Sequence, residues 1–156
     1  HTRFLYVSGL GDVYKRQPHR FAMQVAQLSR AWRAELDRRL AGLGLSQARW
    51  LVLLHIGRFA ELPTQRELAQ SVGVEGPTLA RLLDSLEAQG LVVRHAVPED
   101  RRAKKIALCP PAKPLIEKIE AISTQLREEL FAGIDQEELR ICQQVHARIL
   151  GNLERR

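Results

Sequence analysis

Cysteine is nearly absent. Cys109 and Cys142 are the only two in 156 residues, and neither belongs to a CxxC pair or to a Cys/His group at metal-ligand spacing. A disulfide framework and a zinc site are therefore not what organises this chain, and a reducing, cytoplasmic setting is expected. No apolar run approaches the roughly 20 residues that a membrane-spanning helix needs. A basic stretch followed by a sustained apolar one, the mark of a secretory signal, is also lacking. There is no HExxH, GxSxG, P-loop or complete GxGxxG, and His19, His55, His95 and His146 are scattered along the chain. An enzyme is not expected, and neither is a metal or a cofactor. No repeat or low-complexity segment breaks the chain.

What is present is a basic, moderately apolar chain, with 45% hydrophobic residues, a net charge of +6 and a pI near 9.9. That length and composition allow one domain with a real core. Residues 1–17 show no helical period and contain Gly9-Leu10-Gly11; they are expected to be a non-native remnant of cloning or assembly, or a disordered arm. They hold Arg3, Lys15 and Arg16 against Asp12, a local +2, which leaves +4 for residues 18–156. Within that remainder, residues 94–105 hold Arg94, Arg101, Arg102, Lys104 and Lys105 against Glu99 and Asp100, a local +3. The excess charge is concentrated there, which points to a polyanionic partner.

The apolar spacing predicts helices. From Pro18, placed near a first turn, Phe21, Val25, Leu28, Trp32, Leu36 and Leu40 recur at steps of three and four. Ser46 is a suitable N-cap for a helix with the body WLVLLHI, apolar nearly all round and so central. Thr64 and Glu67 have capping-box spacing at the start of a short helix, and Gly73 makes the turn to the next. There Leu79, Leu82, Leu83 and Leu86 form one stripe, while Pro77, Thr78, Arg81, Asp84 and Ser85 form the opposite face. After Gly90 the segment LVVRHA, a charged turn VPEDRRAK and KIALC read as a β-hairpin with Asp100, Arg101 and Arg102 at its tip. Two more helices follow, one from about Ala112 and one capped by Asp135 and Glu138. Cys142 falls on the apolar stripe of the last, so both thiols are expected to be buried and structural.

Helix, turn, helix and charged hairpin make a winged helix-turn-helix. The fold class expected is mainly α with a small β-hairpin wing (α+β), one domain over 18–156, with the reading unit at 46–109 and dimerisation helices at 18–45 and 110–156. The long apolar stripes at the chain ends are too extensive for so small a centre to cover, which predicts a homodimer. A major groove admits a helix whose exposed first turns carry short or hydrogen-bonding side chains, as Pro77, Thr78 and Arg81 do. Arg81 can bond guanine bidentately; its other reading is a pair with Asp84 or Ser85 on a solvated face. An arginine at the wing, Arg102 or Arg101, fits a narrow minor groove, with Asp100 orienting a guanidinium, and Lys104 and Lys105 suit phosphates. A winged-helix module that binds protein partners without specific DNA binding is the alternative; it calls for a neutral or acidic hairpin, and this one is basic.

The pieces AWRAELDRRL, LSQARWLVLLHI, TQRELAQSVGVEGPTLARLLDSLEAQGLV, PEDRRAKKIAL and KPLIEKIEA resemble the MarR family of bacterial regulators, and most closely its SlyA-type branch, over residues 20–156. The resemblance implies a homodimeric, cytoplasmic winged-helix regulator, repressor or activator. It implies binding to pseudo-palindromic double-stranded DNA operators, with release by a small aromatic, frequently phenolic, effector. It puts recognition-helix roles on Pro77, Thr78 and Arg81 and the wing role on Asp100, Arg101 and Arg102. Gly76 departs from the polar residue expected at its position. An effector crevice would bring in Trp32, Trp50 and His55; core packing is the other role open to either tryptophan.

Overall fold

The capping box expected at Thr64 sets the register of the helix-turn-helix. In the computed structural model, which describes the backbone of residues 2–156 and the side chains of residues 16–100 and 102–156, the Glu67 N–H donates to Thr64 Oγ1 and the Thr64 N–H donates to Glu67 Oε1, both at 3.1 Å. Helix α3 (Gln65–Val72) starts there and ends at Gly73, whose φ of 82° lies in the left-handed region that glycine adopts without a Cβ clash. The N–H groups of Gly73 and Val74 both return to the Ala69 carbonyl, closing the turn. Helix α4 (Gly76–Ala88) follows with Pro77 in its first turn, where a missing N–H costs nothing. Thr64→Ala should destabilise the fold by about 1 kcal/mol, read as a shift in the denaturant midpoint at constant slope. An unchanged midpoint would show that the cap contributes nothing.

Before this pair stand α1 (Thr2–Leu40), a 3-10 turn at Ala41–Leu43 and α2 (Gln47–Arg58). The helix α1 contains Pro18 instead of starting there. Proline lacks an N–H, so one rung of the ladder is missing, a loss tolerated where water reaches the helix all round, as it does along residues 16–31. Residues 1–15, on which most of the expected foreign or disordered segment falls, lie outside the described side chains. Ser46 stands at the N-cap of α2 in extended conformation, but its hydroxyl caps nothing; its carbonyl accepts from the Arg49 and Trp50 N–H groups.

The hairpin is longer on its second strand than the sequence indicates. β1 (Val92–Val97) pairs antiparallel with β2 (Asp100–Leu108), in register from Val92 with Leu108 to Ala96 with Lys104, and then Val97 with Asp100. Residues 101–103 are left without β1 partners, so the wing carries a bulge and its turn is Pro98-Glu99. Asp100 and Arg102 therefore lie in β2 and not at a tip, because extra residues on one strand are absorbed as a bulge while the ladder continues on either side. The outer edge of β2 is tied down as well: the Ile106 N–H donates to the Pro63 carbonyl at 2.9 Å, and Lys105 bridges to Thr64.

Two compact units divide the chain, His1–Ile122 and Ser123–Arg156, with α5 (Ala112–Leu130) shared between them. The core of the first is built from the expected stripes: Leu40, Trp50, Leu53, Leu68, Leu79, Leu83, Leu86, Val92 and Ile106 are all buried. Each such side chain contributes about 1.5–3 kcal/mol. In the second unit Leu126 is buried, while α6 (Gln136–Glu154) has no buried residue. Cys142, on α6, is consequently exposed, and Cys109 is half-buried, which corrects the expectation of two buried thiols. The apolar stripe on which Cys142 lies is exposed among the described residues.

Candidate nucleic-acid interface

The anchoring of β2 on the start of α3 holds the wing beside the helix-turn-helix, and a concavity of about 700 Å³ opens between them. Its walls are Gln65, Arg66 and Gln70 from α3; Glu75, Gly76 and Pro77 from the start of α4; Arg94 from β1; and Arg102 and Lys104 from β2. Four cationic side chains thus face one carboxylate across a hollow in low-dielectric walls, an arrangement that concentrates positive potential. A smaller hollow beside it is lined by Thr64, Asp100 and Arg102.

Of the residues singled out in the sequence, Pro77, Arg102 and Lys104 line the main concavity. Arg81 and Asp84 are exposed on α4, and Thr78 and Ser85 are half-buried there. Lys105 is exposed, and strand alternation puts it on the side away from Lys104. The side chain of Arg101 lies outside the described residues. Asp100 does not orient the Arg102 guanidinium: its Oδ1 accepts from the Arg102 backbone N–H at 2.9 Å, a bond that shapes the bulge. At Gly76 a Cβ would meet nothing within 4 Å, so the departure from a polar residue leaves open space on the first turn of α4.

Arg81 has no hydrogen bond or ion pair with any described residue. The pair with Asp84 that the helix spacing allows does not form; Asp84 is paired instead with Arg94, whose Nη2 lies 2.5 Å from Asp84 Oδ1. The same guanidinium donates to Glu87 Oε2 from Nε at 3.1 Å and from Nη2 at 2.6 Å. Its side chain is 18% exposed, so β1 is clamped to α4 by a largely buried fork. The Arg94 guanidinium holds the Glu87 carboxyl below the usual carboxylate range, and Glu87 and then Asp84 keep Arg94 charged. The Arg94–Glu87 pair is thus fully present above the ordinary carboxylate value of 4.5 and is lost as the pH falls through the depressed Glu87 value. Arg94 enters the sequence reading only as one charge in the hairpin's excess; nothing local announces partners seven and ten residues earlier.

The effector residues are not gathered at this interface. Trp50 is fully buried in the core, and its Nε1–H meets no hydrogen-bond partner among the described residues. His55 Nδ1 lies 2.8 Å from Ser71 Oγ, and burial, then the nearby Arg58 charge, pulls its imidazole below the ordinary value. None of Trp32, Trp50 and His55 lines either of the two hollows.

Residues 43–103, which span α2 to the first part of β2, match a family model described as MarR family. Among solved structures, one described as the transcriptional regulator PA3341 is 68% identical with a TM-score of 0.82, over 87% of this chain and 99% of that one. A MarR-family regulator from Silicibacter pomeroyi is 25% identical with a TM-score of 0.72, over 83% and 86%. A DNA complex of MepR from S. aureus is 21% identical with a TM-score of 0.76, over 85% and 97%, a likeness of fold.

Proposed function

This chain belongs to the MarR family of transcriptional regulators, DNA-binding winged-helix proteins, and from that premise we propose that it acts as a homodimer reading a pseudo-palindromic DNA operator, with α4 in the major groove and the wing against the minor groove. The observation that carries this reading is the concavity in which Arg66 from α3 and Arg102 and Lys104 from β2 converge, near an Arg81 that no described residue pairs. Phosphates are met by the cationic walls and by the start of α3, and base edges by Thr78 and Arg81. Arg102 is the residue proposed for the minor groove, with Lys105 on flanking phosphate and Ser85 at the rear of the α4 face. The run PEDRRAKKIAL supports placing the chain in the SlyA-type branch.

The proposal is of a binding protein without catalytic activity, working in the cytoplasm. Among the described residues no helix is long and apolar enough to cross a membrane. A homodimer is supported by the apolar side chains each unit leaves exposed, Phe21, Val25 and Leu28 on α1 and Ile141, Val145 and Ile149 on α6. A small aromatic or phenolic effector near Trp32, Trp50 and His55 rests on the resemblance alone.

Selection from random duplexes tests the reading. Enrichment of a two-fold-related sequence whose affinity falls steeply with salt is the expected result, and no enrichment overturns it. With the selected operator in hand, Lys104→Ala should weaken operator and random duplex by equal factors and reduce the salt slope by about 1, as a phosphate contact does. A loss confined to the operator would reassign Lys104 to base reading.

A further inference from the structure

Arg81 and Asp84 are neighbours at i, i+3 on the exposed face of α4, the spacing at which an arginine and an aspartate pair on a helix. In this structure they do not; across the interface between α4 and the wing, Arg94 of β1 binds Asp84 and Glu87 together. A guanidinium drawn onto a carboxylate of its own helix has part of its fork engaged, its charge offset and its direction fixed along the helix, so it is less available to a base than an unpaired one. We propose that Arg94 is a positioning residue for base recognition: by sequestering Asp84 from across the wing, it keeps the Arg81 guanidinium unpaired and free to read a base. The inference rests on the reading of α4 as the recognition helix.

Two features of the site support this assignment over a direct DNA contact by Arg94. Its guanidinium spends Nε and Nη2 on carboxylates of its own chain, whereas Arg66, Arg102 and Lys104 around the same hollow are engaged by no described side chain. Its side chain is also the least open of the partners in the cluster, at 18% exposed against 65% for Asp84 and 38% for Glu87. The clamp joins the wing to the recognition helix, so the specificity of the helix depends on a residue that never needs to touch DNA.

The test is a mutant cycle read as the ratio of operator to random-duplex affinity, by fluorescence anisotropy across a salt series. Arg94→Gln frees Asp84 to capture Arg81, and the ratio should fall by roughly tenfold, toward that of Arg81→Ala. Asp84→Asn alone should leave the ratio near wild type, and Arg94→Gln with Asp84→Asn should restore it to within about threefold. Arg94→Met, which keeps an unbranched apolar stem at this position, repeats the cycle should the glutamine variant fold poorly. An unchanged ratio in the single variant overturns the proposal. So does a loss that persists in the double variant, or an equal loss on both duplexes with a shallower salt slope, which marks Arg94 as a phosphate contact. Failure of the wild-type chain to select any sequence removes the recognition-helix reading, and this inference with it.

Discussion

Ile149→Asp is expected to leave the chain monomeric and to lower operator affinity by roughly a hundredfold or more, the scale set by losing the second of two linked half-site contacts. On α6, Ile141, Val145, Ile149 and Leu153 recur every four residues, all exposed in the single chain, with Leu150 beside them. No residue of that helix is buried, although its start is secured by Asp135, whose N–H donates to Glu138 Oε1, and its first turn by an Arg140–Glu137 ion pair. A helix capped and paired along its polar side and bare along its apolar side has its stabilisation still to gain from a second surface. A carboxylate at position 149 would have to be desolvated on that surface, at a cost that one lost isoleucine contact understates. Sedimentation equilibrium together with anisotropy on the selected operator checks this. A dimer that persists with unaltered affinity would show that α6 is not the assembly face.

Arg81→Ala carries the other large effect, on discrimination. A bidentate arginine on guanine accounts for about 1–3 kcal/mol between the right and the wrong base, so the ratio of operator to random affinity should drop by one to two orders of magnitude in the proposed dimer, which would use the residue twice. Non-specific binding should weaken far less, since the cationic walls of the concavity, Arg66, Arg102 and Lys104, are untouched. The loss should map to one base pair in each half-site. Equal losses on operator and random duplexes would make Arg81 a phosphate contact and move base reading to Thr78 and Pro77.

Much of the local architecture was legible in the residues because the interactions that make it span four residues or fewer. Thr64 and Glu67 cap α3, Gly73 turns the chain, Pro77 opens α4, and the stripe of Leu79, Leu83 and Leu86 goes into the core, each as its spacing requires. The hairpin's existence and its cationic character were equally plain. Tertiary structure decided where strands and partners meet. The bulge at residues 101–103 moves Asp100 and Arg102 from a tip into β2, because pairing with Val97 and Lys104's partner Ala96 is a cross-strand matter. Cys142 is exposed, because an apolar stripe specifies a face but not what covers it. The Asp84 carboxylate had a possible partner three residues away in sequence and pairs with one ten residues away, since the packing of β1 against α4 sets the half-buried Arg94 guanidinium 2.5 Å from it. Periodicity and capping act along one helix and can be read in order; which of two arginines wins a carboxylate depends on distance and desolvation between elements, and those exist only once the chain has folded.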